Sequence, residues 1–150
     1  MKLQVKKLRE DAILPTRGSD KASGLDLYAV EDIKIYPGET VLVKTGIAFG
    51  IPEGYEIQVR PRSGLSLKTL LIVKNSPGTV DQDYKGECAV IMHLLVHQEI
   101  FGFGNVPYQI KRGDRVAQAV LCPVVLPELE EVTELDQTNR GSGGFGSTGT

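Results

Sequence analysis

No apolar run in this chain goes far before a glycine or proline turn cuts it, and in several of the runs apolar and polar residues alternate. Ile33, Ile35, Val41 and Val43 alternate with polar neighbours on either side of the turn signal Tyr36-Pro37-Gly38. Ile47 to Phe49 follows, and Ile51-Pro52-Glu53-Gly54 turns the chain into Tyr55, Ile57 and Val59. Asn75-Ser76-Pro77-Gly78 is another turn, Cys88 to Val96 a longer apolar strand, and Lys111-Arg112-Gly113-Asp114 leads into Val116 to Leu121. Alternation with period two sends successive side chains to opposite faces of a sheet. Short β-rich runs separated by such turns predict an all-β sandwich or barrel. Only Ser63 to Leu71 has room for a short helix, with Ser63 as its N-cap.

At 150 residues the chain suits one compact domain, with a real core but not two. The formal charge of −2 argues against a general nucleic-acid binder, which would carry a basic face, yet it leaves room for a local cation cluster that binds phosphate. Cys88 and Cys122 each sit inside an apolar run and read as small buried hydrophobes rather than as a disulfide or a catalytic thiol. No apolar stretch is long enough to span a bilayer, and Met1 to Glu10 lacks a secretory core. The expectation is a cytoplasmic or otherwise intracellular protein without nucleic-acid or membrane partners.

The C-terminal third changes character. Pro123 to Leu135 is apolar and then acidic, and its two prolines suit an edge strand or a strand exchanged with a neighbouring subunit. Beyond it, Arg140-Gly-Ser-Gly-Gly-Phe-Gly-Ser-Thr-Gly-Thr150 has the composition of a disordered tail. It contains the spacing of a dinucleotide fingerprint, but no strand-to-helix unit surrounds it, so that match is false. An arginine and a lone aromatic among glycines could instead form a phosphate clamp and a stacking platform.

Five segments carry candidate chemistry, and each alone has an ordinary structural explanation. Ala22-Ser23-Gly24-Leu25-Asp26-Leu27 reads as a strand with one polar interruption, and Arg62-Ser63-Gly64-Leu65 as a helix start or an anion site. Gly78-Thr79-Val80-Asp81-Gln82-Asp83-Tyr84-Lys85-Gly86 reads as a glycine-bounded hairpin with two carboxylates and a tyrosine. Gly113-Asp114-Arg115-Val116-Ala117-Gln118 reads as a turn into a strand. The tail is the fifth.

Together, in this order and spacing, the five resemble the motifs of the trimeric dUTPase family, from Ala22 to the C-terminus. That resemblance implies a distorted jelly-roll (β-clip) barrel with one short helix, spanning 1–139, and a flexible glycine-rich arm, 140–150, that closes over the active site of a homotrimer. It implies hydrolysis of dUTP to dUMP and pyrophosphate by Mg²⁺-assisted attack of water on the α-phosphate. Such an enzyme limits uracil incorporation into DNA and supplies dUMP for thymidylate synthesis. Asp81 matches the catalytic aspartate that orients and deprotonates the water, a role that needs hydrogen-bond reach; Asp83 matches a structural aspartate. Arg62, Ser63 and Gly64 match the phosphate-binding group, and Gln118 a phosphate-side contact. Asp26 resembles a residue that meets magnesium through its waters. The main chain from Asn75 to Tyr84, including Thr79 and Val80, would read the uracil edge. Tyr84 would pack under the deoxyribose and leave no room for a 2′-hydroxyl. From the arm, Phe145 would cover the uracil while Arg140, Gly146 and Ser147 close over the γ-phosphate. Each site would draw on three subunits.

Two departures accompany the match. His97 to Tyr108 is a long insertion between the third and fourth motifs, expected to be an extended hairpin tip, and Ala89 stands where a longer side chain is usual. His93 and His97 are spaced as a zinc pair would be but lack a third ligand, so strand-facing histidines are expected. A dCTP deaminase of similar fold would need a catalytic glutamate in the hairpin and no such tail. A nucleotide sensor or structural jelly-roll module would have no use for Asp81.

Overall fold

The computed structural model describes residues 1–96 and 106–144. Twelve strands and one helix occur among them: β1 (Gln4–Lys7), β2 (Thr16–Arg17), β3 (Gly24–Tyr28), β4 (Ile33–Ile35), β5 (Thr40–Lys44), β6 (Ile47–Gly50), β7 (Tyr55–Arg60), α1 (Ser63–Lys68), β8 (Leu71–Val73), β9 (Gly78–Val80), β10 (Ala89–Leu94), β11 (Tyr108–Ile110) and β12 (Arg115–Pro123). All ladders are antiparallel. The largest sheet has the order β2-β3-β12-β7-β9; a second runs β5-β10-β8, and β1-β6 and β11-β4 are two-stranded.

Alternation in the sequence becomes alternation of burial. In β7, Ile57 and Val59 point inward, and in β10, Val90, Met92 and Leu94 do so. These join Leu27, Ile35, Val43, Ile47, Leu71 and Ile110 in one core. Each fully buried Leu or Ile stabilises the fold by about 1.5–3 kcal/mol relative to an exposed one, before ordering costs. In β12 the alternation breaks, because Val116 and Ala117 are both buried. The ladder to β3 shifts register between Arg115 and Ala117. A bulge of this kind lets two neighbours face the core and re-aims the residue beside it, here Arg115.

Four expectations change on contact with the structure. The helix covers Ser63–Lys68 rather than reaching Leu71, and its N-cap is Arg62, in extended conformation (φ −97°, ψ 129°), with no side-chain cap bond. Ser63 is already helical, so its hydroxyl is not in the capping position. The segment from Gly78 to Gly86 is not a hairpin: β9 pairs with β7, whereas β10 pairs with β5 and β8, so residues 81–88 cross between two sheets. Pro123 ends a central strand rather than avoiding one. The β3 ladder stops at Val120, leaving Pro123 paired only to Tyr55 on β7, where its missing N–H costs nothing. Val124 adds one main-chain bond to Gly54, and no strand follows it to Leu135. Last, Cys122 is only half-buried; Cys88 is buried, and both are free. Burial, helped by the Glu87 charge, pushes the Cys88 thiol up to about 12, so it stays protonated near neutral pH.

Candidate active site

The site residues assemble in two places. The first is organised by β12, which lies between β3 and β7 and sets Gln118 level with Asp26 on one side and Arg60 on the other. Asp26, with its side chain 14% exposed, accepts from Arg62 Nε at 2.7 Å through Oδ1 and from Arg115 NH1 at 3.3 Å through Oδ2. Arg62 reaches it because the extended N-cap residue projects back across the sheet, and its NH1 also donates to the Arg115 carbonyl at 3.4 Å. Gln118 Nε2 donates to the Pro61 carbonyl at 2.9 Å. Gly24 makes room for that side chain, since a Cβ there would overlap the Gln118 carboxamide. Ser63 and Gly64 form the first turn of α1, and Gly64 faces open space. A cavity of about 600 Å³ borders Arg62, Gly64, Lys68, Tyr108 and Arg115. Two guanidiniums around one carboxylate leave a net positive group, suited to the oxygens of a phosphate chain.

The second place is a pocket of about 290 Å³ between β9 and β10, bordered by Asn75, Thr79, Val80, Asp81, Tyr84 and Ala89. Gly78 lets the Asn75 amide close against the strand, because a Cβ would stand 2.8 Å from Asn75 Nδ2. Asp81 opens a turn closed by the Tyr84 N–H on the Asp81 carbonyl, at 3.1 Å. Asp83 borders a different cavity of about 430 Å³, alongside Glu56 and Gln82; Asp81 borders both. β9 is the edge of its sheet, so one side of its main chain is turned away from β7.

One chain does not bring the two places together. Val80 pairs with Ile57, at the opposite end of β7 from Arg62, so Asp81 and Arg62 lie on the order of 15–20 Å apart along the sheet. The cavity around Arg62 and the pocket around Asp81 share no residue. Arg140 is exposed, and its Nε donates to the Gly143 carbonyl at 2.8 Å, within the tail. Phe145, Gly146, Ser147 and His97 lie outside the described residues. His93 sits on β10 with Nδ1 3.0 Å from Thr40 Oγ1, as a strand-facing histidine.

Arg115 and Glu87 escaped the sequence reading. Arg115 sits inside the fourth motif, but its tie to Asp26 spans 89 positions and leaves no periodic signal. For magnesium, the described residues contain no group of three or more His, Cys, Asp or Glu close enough to hold an ion. Asp26 alone, with guanidiniums on both oxygens, fits an ion only through intervening water, which magnesium retains readily.

A nearly all-β, antiparallel chain with this strand order is a jelly-roll protein. A family model described as dUTPase matches residues 10–149. A deoxyuridine 5'-triphosphate nucleotidohydrolase from Hydrogenobaculum sp. is 53% identical over 150 residues, covering 99% of each chain. The dUTPase of Staphylococcus bacteriophage 80alpha, solved with dUPNHPP, superposes with a TM-score of 0.89 at 32% identity, over 99% of each chain. A dUTPase from phage phi11 of S. aureus, whose structure describes coordination of a structural Mg(II) ion, gives 0.79 at 31% identity, over 89% of this chain and 98% of that one. The chain belongs to the dUTPase family.

Proposed function

We propose that this chain hydrolyses dUTP to dUMP and pyrophosphate, with Asp81 as general base, at a site shared among three copies. Family membership across residues 10–149 is the observation that carries the reaction. Asp81 is preferred over Asp83 because it borders the pocket that holds Asn75, Thr79 and Tyr84. Its carboxylate takes a proton from water as the water oxygen bonds to the α-phosphorus and the bond to the bridging oxygen breaks. Pyrophosphate leaves. Arg62, with the Ser63 hydroxyl and the Gly64 N–H, meets the charge that gathers on the leaving oxygens, and Gln118 supports the same side. Magnesium, held by the substrate phosphates and through water by Asp26, would neutralise part of the triphosphate charge.

The outer edge of β9, at Gly78, Thr79 and Val80, offers main-chain donors and acceptors in the order a strand partner would use, and uracil can take that place. Cytosine reverses the pattern at its 4-position and would leave buried groups unpaired. Tyr84 lies beneath the sugar. Arg140, Gly146 and Ser147 close over the γ-phosphate and Phe145 over the base.

Sharing follows from reach. A base on the α-phosphate and cations on the leaving phosphates must sit within a few ångströms of one triphosphate, and the separation of Asp81 from Arg62 in one chain is several times that. The segment after Pro123 also exposes Val125, Leu126, Leu129 and Leu135, between 83% and 97%. A run of apolar side chains this exposed is stabilised by covering it, and a neighbouring copy is the partner we assign. Incubation with dUTP or dCTP plus magnesium tests the reaction. Pyrophosphate from dUTP alone is expected, and ammonia from dCTP would point to a deaminase instead.

A further inference from the structure

Tyr84 stands on the crossing loop between β9 and β10, which belong to different sheets, so no ladder holds it in place. Such a segment keeps its shape through individual bonds. Several converge on the turn that joins β5 to β6. The Glu87 carboxylate accepts from the Gly46 N–H at 2.7 Å, 41 residues earlier in the chain. The Cys88 N–H donates to the Ile47 carbonyl at 2.8 Å, and the hydroxyl of Thr45, itself 1% exposed, donates to the Cys88 carbonyl. Gly46 is fixed in turn: its φ is +69°, and a Cβ there would stand 2.8 Å from that of Ala12.

The aromatic ring depends on the same residue. The Tyr84 hydroxyl donates to the Glu87 carbonyl at 3.2 Å. Gly86 forms the floor, since a Cβ there would come within 2.5 Å of the Tyr84 hydroxyl oxygen and 2.6 Å of Cζ. Glu87 thus touches both ends of the arrangement, with its carbonyl at the Tyr84 hydroxyl and its carboxylate at the turn between β5 and β6. A carboxylate accepts a main-chain N–H more strongly than a neutral oxygen does, which suits it to hold a loop without a ladder.

We propose that Glu87 is a positioning residue for sugar discrimination: latched to the Gly46 amide, it fixes the height of the Tyr84 ring and so the space left at the 2′ carbon. The inference rests on, and deepens, the reading of Tyr84 as the aromatic beneath the deoxyribose. Steady-state kinetics on the full-length protein with dUTP and with UTP, in magnesium, test it. Glu87→Ala lowers the dUTP-over-UTP ratio of kcat/KM by on the order of tenfold, chiefly through KM, as expected when a positioned group drifts. Glu87→Gln, whose amide oxygen can accept the same N–H, restores most of that ratio. Tyr84→Phe keeps the ring, loses its bond to the Glu87 carbonyl and shifts the ratio the same way by a smaller factor, which keeps the test open should Glu87→Ala fail to fold. An unchanged ratio in Glu87→Ala, with or without a lower melting temperature, overturns the latch if Tyr84→Ala does relax discrimination. Should Tyr84→Ala itself leave the ratio unchanged, the reading of Tyr84 falls and takes the latch with it.

Discussion

Asp81 and Asp83 stand in one loop, and what separates them is which cavity each borders. Both border the cavity beside Glu56, but of the two only Asp81 also borders the pocket with Thr79 and Tyr84. Asp81→Asn should therefore keep nucleotide binding and lose turnover by roughly 10²–10⁴, the range for a positioned general base. Isothermal titration with a non-hydrolysable analogue checks the binding, and a pyrophosphate assay checks the rate. Near-normal kcat in Asp81→Asn, with Asp83→Asn inactive, would reverse the assignment. At this scale the sequence was legible as a unit where a motif is contiguous, as for Arg62-Ser63-Gly64 at the start of α1. It was silent where a role depends on a distant partner. Arg115 acquires meaning only through Asp26, and Glu87 only through Gly46, pairs that no local spacing relates.

Among the elements, strands were the most legible: the apolar–polar alternation of β7 becomes period-two burial, while β10 reads as an apolar run of which alternate residues face the core. Where a side chain or a turn works against the local signal, the reading failed. Arg62 takes the N-cap position that Ser63 was expected to fill, and from its extended backbone there the guanidinium reaches Asp26. The loop after β9 crosses to another sheet rather than returning as a hairpin, since β10 finds its partners in β5 and β8. Glycines on both sides of a loop signal a change of direction but not which sheet receives the next strand. The arm gives a prediction of its own. Arg140, exposed and donating to the Gly143 carbonyl, should be cut readily by trypsin in the free protein and protected by a non-hydrolysable dUTP analogue with magnesium. Equal cleavage with and without ligand would refute closure. If Phe145 stacks on uracil, Phe145→Ala should weaken binding by about 1–3 kcal/mol, measurable by titration.

On the scale of the whole molecule, one chain gathers Asp26, Arg62, Arg115 and Gln118 at one end of its main sheet and leaves Asp81 at the other. Neither half alone can hold a triphosphate against a base. In the assembly we propose, a ring of three copies related by a three-fold axis would let each Asp81 loop meet a neighbour's Arg62, with the segment after Pro123 carrying the arm onward. The most direct measurement mixes two inactive variants, Asp81→Asn and a chain ending at Asn139, refolded separately and then together. Mixed trimers would contain sites with an intact Asp81 from one subunit and an intact arm from another, so dUTP hydrolysis should partly return in the mixture while each variant alone stays inactive. If every mixture stays as inactive as its components although mixed oligomers form, each chain builds its site alone and the shared site is wrong.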